Sequence, residues 1–158
     1  MLNLTVIAVG RLNAAYYKQA AAEYEKRLSA FCKVHVIELA EEAIAEKNAS
    51  PAVIEKALEK EGKAILAAVP KGAVLTALCV EGRQLSSEAL AHRLSEWAVS
   101  GVSCAAFAIG SSHGLSPQVK QPPPCAFHER NDLSASVARV MLLEHVPRLL
   151  HPCARYHK

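Results

Sequence analysis

Two stretches of sequence decide the fold class: AVLTALCVEG at residues 73–82 and AAFAIGSSHGL at residues 105–115. The first contains the most continuous apolar run of the chain and closes at Gly82, which predicts a buried central strand over Ala73–Val80. The second predicts another strand over Ala105–Ile109, followed at once by a loop bracketed by glycines. Short apolar runs that end at glycine are typical of strands buried on both faces of a parallel sheet.

The flanking sequence supplies two more strands and the helices between them. Apolar runs predict strands over Leu2–Val9 and Lys33–Leu39. Ser50-Pro51 and Ser86 are typical helix starts, because serine caps free amides and proline fits the first helical position. Helices are predicted over about 14–30, from 51 to about 69, from 86 to about 101, and over 136–146, where Pro147 is expected to end the helix. This alternation predicts an α/β domain with a mostly parallel sheet, and a single domain spanning residues 1–158.

Composition excludes several classes of protein. The 158 residues are 51% hydrophobic and 21% charged, with 7 Gly and 8 Pro, which argues against a disordered tail, a fibre or a low-complexity linker. The net charge of +3 lies entirely in residues 137–158, where four basic residues face Glu144 alone. That basic end is interpreted either as a contact for an anion or nucleic acid or as a solvated C-terminus.

Cysteine usage and the N-terminal sequence predict a cytoplasmic protein. The five cysteines are odd in number and scattered, which is typical of reduced thiols. The first nine residues lack a basic flank and are interpreted as a strand rather than a secretory signal. No run approaches 18 apolar residues, so no membrane span is predicted.

The residue pattern alone suggests two kinds of site. Ligands of open α/β sheets bind beyond the carboxyl ends of the strands, so the loops after Leu78 and Ile109 are candidates, although such loops are more often plain turns. Neither has the glycine spacing of a dinucleotide fingerprint. A zinc-stabilised interaction domain would use Cys125, His128, His151 and Cys153, but the spacing offers few tight ligand pairs and no metal site is predicted.

Several segments, taken in order, resemble one family. They are MLNLTVIAVGRLNAAYYKQAAAEYEKRL at the N-terminus, then EKEGKAIL, LCVEGRQLSSEALA, AIGSSHGL, RVMLLE and the terminal YHK. Together they are similar to the ribosomal RNA large subunit methyltransferase H family, the smallest SPOUT-type methyltransferases. The likeness runs through residues 1–115 and returns at 137–146 and 156–158.

The resemblance implies a Rossmann-like α/β fold whose C-terminal part forms a trefoil knot. It implies a homodimer that binds S-adenosylmethionine in the knot. The implied reaction is methylation at N3 of a pseudouridine in large-subunit (23S) ribosomal RNA, within the assembled ribosome.

The resemblance also assigns site residues. Leu78 and Gly110 match cofactor positions, and a third cofactor loop falls on the six residues His128, Glu129, Arg130, Asn131, Asp132 and Leu133. Arg139, Tyr156 and His157 match positions near the methyl-transfer site or the RNA. His157 is the candidate base for the N3 proton, and Tyr156 is the candidate platform for stacking on the acceptor base.

Two windows depart from the family pattern. Ser111 replaces a glycine, which is a mild change, but residues 118–136 and 147–155 lose the likeness sharply before it returns. Compensating reading-frame shifts would produce such windows, a hypothesis tested by translating the encoding DNA in the other frames. Because the first window covers the third cofactor loop, the alternative function is a knotted dimer that binds ribosome or RNA without transferring methyl.

Overall fold

A computed structural model describes residues 2–84, 86–121, 125–126 and 134–150 of the chain. Strands and helices alternate through the first four strands, as the sequence predicts, and a short fifth strand that it does not predict follows the fourth without a helix between them. The elements are β1 (Asn3–Val9), α1 (Ala15–Leu28), β2 (Lys33–Leu39), α2 (Pro51–Ala68), β3 (Val74–Gln84), α3 (Ser87–Val99), β4 (Cys104–Ile109), β5 (Cys125–Ala126) and α4 (Ala135–Leu150). A short 3-10 turn over Glu46–Asn48 precedes α2.

Within the described residues the strands form one parallel sheet in the order β2-β1-β4-β3-β5. The mostly parallel α/β fold predicted from the sequence is therefore confirmed. β4 occupies the middle of the sheet, and β3, predicted as a central strand, lies beside it with β5 on its other side. Parallel pairing brings the carboxyl ends of all these strands to one edge of the sheet.

The two predicted serine caps are present. The Ser50 hydroxyl accepts a hydrogen bond from the Val53 amide at 3.3 Å, with Pro51 in the first helical position. The Ser86 hydroxyl accepts from the Ala89 amide at 3.1 Å. Each cap satisfies one of the amides left free at a helix start, so local sequence sets where α2 and α3 begin.

Helices cover both faces of the sheet. On one face α1, α3 and α4 pack over a core that includes Leu4, Phe107 and Leu142, all fully buried. On the other face α2 packs with the chain that follows β4, burying Ile65 and Val119 against the alternate side chains of the strands. The chain leaving β4 thus turns onto the face that α2 covers. The helices that follow β1 and β3, α1 and α3, cover the opposite face.

Two elements are longer than the sequence predicts. β3 continues beyond Val80 to Gln84, because after a register shift it pairs with β5 at Arg83 and Gln84. The last helix was predicted to end before Pro147, yet α4 extends to Leu150. A proline inside a helix costs about 3 kcal/mol, and the burial of the preceding turns of α4 against α1 and α3 offsets that cost.

Among the described helices, no segment is both long and apolar enough to cross a membrane.

Candidate active site

The structure brings two of the predicted site residues together at the carboxyl edge of the sheet. Leu78 in β3 pairs with Ile109 in β4, and Gly110 follows Ile109 directly. Leu78 also pairs with Cys125 in β5, so β3 at this point is held on both sides. Because the Leu78 side chain is buried, its main chain is the part of this residue that can contact a ligand at this edge.

Residues 110–114 form a tight loop after β4. The Gly114 amide donates a hydrogen bond to the Ser111 carbonyl at 2.9 Å, and an isolated antiparallel bridge links the two residues. A Cβ on Gly110 would collide with the Gly114 carbonyl oxygen and lie 2.9 Å from Leu115 Cγ. Glycine at position 110 is therefore required by the closure of the loop itself.

Gly114 leaves an open approach to the same loop. Its φ is +94°, in the region that favours glycine. Apart from its chain neighbours, no heavy atom in the described part of the chain lies within 4 Å of the place where its Cβ would be. No described side chain therefore occupies the Cβ side of Gly114, an opening that fits a small cofactor held by main-chain contacts.

Carboxylates from outside the loop hold its two serines. The Ser111 hydroxyl donates to Glu61 Oε2 at 3.0 Å, in a buried contact. The Ser112 hydroxyl donates to Glu41 Oε1 at 3.2 Å, in an exposed one. The loop is thus attached to α2 and to the segment after β2.

Arg139, the third predicted residue that the structure describes, is buried on the other face of the sheet. Its Nη2 donates to Glu38 Oε1 at 3.0 Å, and the side chains of Arg139 and Glu38 are 6% and 35% exposed. Its Nε is buried with no hydrogen-bond partner among the described residues. The side chain is thus almost wholly buried, and its described hydrogen bond is the one to Glu38.

Arg139 and Glu38 line a groove of about 680 Å³ beside the carboxyl ends of β1 and β2. Arg11 and Lys18 add positive charge, and Glu25 adds a carboxyl whose pKa is raised. Burial is the main cause of that rise, Arg139 opposes it, and Glu38 reinforces it. The groove shares the sheet edge with Gly110, one strand away, since β1 is paired with β4.

The remaining predicted residues lie outside the described residues: the loop His128–Leu133, Tyr156 and His157. The zinc alternative falls there as well, apart from the main chain of Cys125. Within the described ranges, no group of three or more His, Cys, Asp or Glu side chains is arranged to hold a metal ion.

Sequence reasoning missed the acidic residues of the site, although a signal was present. Glu61 continues the apolar stripe of Ile54, Leu58 and Ile65 at helical spacing, which placed a carboxylate on the buried face of α2. Arg139 likewise lies at helical spacing from Leu142 and other buried residues of α4. A charged residue inside an apolar stripe needs a partner, and that requirement points to a buried polar contact.

The chain is similar in sequence to known proteins over nearly its whole length. Residues 2–157 match the family model described as "Predicted SPOUT methyltransferase". The chain is 40% identical over 161 residues to the ribosomal RNA large subunit methyltransferase H of Bifidobacterium animalis subsp. lactis (strain AD011), covering 99% of this chain and 100% of that protein. It is 39% identical over 160 residues, with the same coverage, to the protein of that name from Ligilactobacillus salivarius (strain UCC118).

Proposed function

Since the chain belongs to the SPOUT methyltransferase family, we propose that it transfers a methyl group from S-adenosylmethionine to N3 of a pseudouridine in large-subunit ribosomal RNA. The observation that carries the proposal is the family match over residues 2–157, combined with an open glycine loop after β4 at the carboxyl edge of the sheet. The names of the two relatives support a ribosomal RNA substrate.

On the cofactor side, Leu78, Gly110 and the loop His128–Leu133 would hold S-adenosylmethionine. The open backbone at Gly114 and the paired ends of β3 and β4 support this assignment. When bound, the cofactor supplies an electrophilic methyl group, so the protein itself needs to provide mainly orientation. Main-chain contacts suit that task because they are fixed by the sheet and do not depend on side-chain rotamers.

On the acceptor side, His157 would accept the proton that leaves N3, and Tyr156 would stack on the base. Arg139 would act beside them as a positioning residue, because its guanidinium is bound to Glu38 and lines the groove at the same sheet edge. The basic end of the sequence supports an RNA partner, since cationic side chains neutralise phosphates on binding.

The proposal extends to the assembly. Residues 1–158 would act as one domain in the cytoplasm, with the C-terminal part threaded into a trefoil knot and two copies forming the working unit. Much of its specificity would come from the assembled ribosome and the second copy, because folded RNA is recognised largely by its shape.

Two measurements test the proposed function. Calorimetry of the purified full chain should detect S-adenosylmethionine binding, and the absence of binding at millimolar cofactor would refute it. Mass spectrometry of large-subunit RNA should show a methyl-pseudouridine that disappears when the gene is deleted and returns with the wild-type gene. An unchanged signal after deletion would contradict the assignment of the substrate.

A second candidate function is suggested by residues 118–136 and 147–155, which depart from the family pattern. A knotted dimer that binds ribosome or RNA without methyl transfer would keep the fold and lose the third cofactor loop. The same calorimetry separates the two, because this candidate requires ribosome binding by a chain that does not bind S-adenosylmethionine.

A further inference from the structure

One turn of α2 carries a buried acid next to a glycine. Glu61 is only 6% exposed, although carboxylates are costly to bury without polar partners. The adjacent Gly62 is also buried. Both belong to the EKEGKAIL segment, whose role the proposed reaction does not explain.

Glu61 joins two loops through its two oxygens. Oε1 accepts the main-chain amide of Glu42 at 3.0 Å, and Oε2 accepts the Ser111 hydroxyl at 3.0 Å. Glu42 lies in the segment after β2, and Ser111 is the residue that follows Gly110. The carboxylate therefore ties the start of the glycine loop to α2 and to the segment after β2.

Gly62 secures the other end of the same segment. A Cβ at position 62 would collide with Ser116 Oγ and would lie 3.0 Å from Ser116 Cβ and 3.4 Å from Val119 Cγ2. Only glycine lets Ser116, itself buried, rest against the α2 backbone. Adjacent residues of one helix thus fix the chain at 111 and at 116, on either side of the open position at Gly114.

From this double attachment we infer that Glu61 is a positioning residue for the cofactor loop, with Gly62 providing the close contact that completes the clamp. The inference rests on the proposed function, because it assigns the loop after β4 to the methyl donor. Glu61 would not touch the cofactor; it holds Ser111 so that the Gly110 and Gly114 main chain is in its binding geometry before the cofactor arrives. Such preorganisation improves affinity by removing the cost of ordering the loop on binding.

The charge of the carboxylate strengthens both contacts. In the structure both oxygens accept, one from an N–H and the other from an O–H. Glutamine keeps the shape, and its carbonyl can accept from the Glu42 amide while its NH₂ group donates to the Ser111 oxygen, but Glu61→Gln makes both hydrogen bonds neutral and therefore weaker. Ser111→Ala removes the other partner of the buried contact and leaves the helix unchanged.

The test uses the full-length protein with Glu61→Gln, Ser111→Ala, the double variant, and Glu59→Gln as a matched control on an exposed position of α2. The measurements are S-adenosylmethionine affinity by calorimetry, the melting temperature, and KM for cofactor and for ribosomal substrate separately. We expect both single variants to bind cofactor about tenfold more weakly, since Ser111→Ala loses one hydrogen bond to a charged group and Glu61→Gln removes the charge from two hydrogen bonds. KM for the ribosomal substrate should stay within about twofold, and the double variant should lose little beyond either single one.

The outcomes separate the inference from the function on which it rests. Wild-type protein that fails to bind the cofactor overturns both. Wild-type binding together with folded variants that bind equally well, or with equal rises in both KM values, overturns the clamp alone. If Glu61→Gln does not fold, Ser111→Ala decides the matter by the same criteria.

Discussion

Replacing each partner of the Arg139–Glu38 ion pair by methionine should destabilise the protein unequally. The two side chains contact each other at 3.0 Å but differ in exposure, 6% for Arg139 and 35% for Glu38. Glu38→Met leaves a buried guanidinium without its partner, whereas Arg139→Met leaves a carboxylate that water already reaches. The charge that remains, rather than the bond that is lost, should therefore set the cost.

The expected magnitudes follow from that difference. Removing one partner of a buried pair costs about 3–5 kcal/mol, and the lower end applies to Glu38→Met because the Glu25 carboxyl also interacts with Arg139. Arg139→Met should cost about 1 kcal/mol, because water can solvate the Glu38 carboxylate that remains. The substitution also removes the buried Arg139 Nε, which has no hydrogen-bond partner within the described chain. The difference of about 2 kcal/mol corresponds to roughly 4–8 °C in melting temperature for a chain of this size.

Urea unfolding of both variants and of the double variant, at one fixed protein concentration, measures these costs and the coupling between the sites. The exposed pair Arg27–Glu23, also at 3.0 Å but with side chains 48% and 55% exposed, is the matched control. Its two methionine variants should each change stability by no more than about 0.5 kcal/mol. Equal costs for Arg139→Met and Glu38→Met, or a larger cost for Arg139→Met, would refute the reasoning.

Three further predictions concern the loop, the groove and the core. Gly110→Ala should destabilise the protein by about 1–3 kcal/mol in urea unfolding, because the added methyl meets main chain that cannot rotate away; an unchanged midpoint would contradict the loop closure. Burial raises the pKa of Glu25, so the folded state binds that proton more tightly than the unfolded state does. The resulting contribution to stability is fully present below the unfolded pKa and is lost as the pH rises through the folded pKa. Glu25→Gln should accordingly raise the melting temperature at pH 7 but not below about pH 4. Equal changes in melting temperature at the two pH values would contradict a raised Glu25 pKa. Burial raises the pKa of the Cys32 thiol to about 11, so iodoacetamide at neutral pH should leave it unmodified until urea is added, as intact and peptide mass spectrometry can show.

Local patterns predict the elements of this chain well. The alternating KVHVIEL defines β2 at Lys33–Leu39, and the serine caps at Ser50 and Ser86 fix where α2 and α3 begin. Each of these features depends on residues a few positions apart, so the sequence carries the whole signal.

The longer β3 and α4 could not be predicted because their ends depend on distant partners. EGRQ after Val80 has no strand pattern of its own and becomes strand by pairing with β5. Pro147 is a strong local signal for a helix end, and packing against other helices outweighs it. Tertiary contacts decide such boundaries, and no local rule contains them.

The site can be predicted only in part, because its contacts also join residues that are distant in the sequence. Gly110 can be recognised in the sequence because it follows a buried strand. The hydrogen bond from its neighbour Ser111 to Glu61, however, joins residues 50 positions apart, and the one from Arg139 to Glu38 joins residues 101 positions apart. A buried charge in an apolar stripe predicts that a partner exists without identifying it.

The position of β1 inside the sheet has a consequence for synthesis of the chain. Its edge opposite β2 stays unpaired until β4 is made, because Asn3 pairs with Cys104, 101 residues later. At about 5–20 residues per second, a nascent chain would spend roughly 5–20 s with an apolar strand edge open. Such an edge can pair with other chains, so the N-terminal strand is open to aggregation during translation. Completion of β4, rather than of the first strand–helix–strand unit, is therefore the step that ends this exposure.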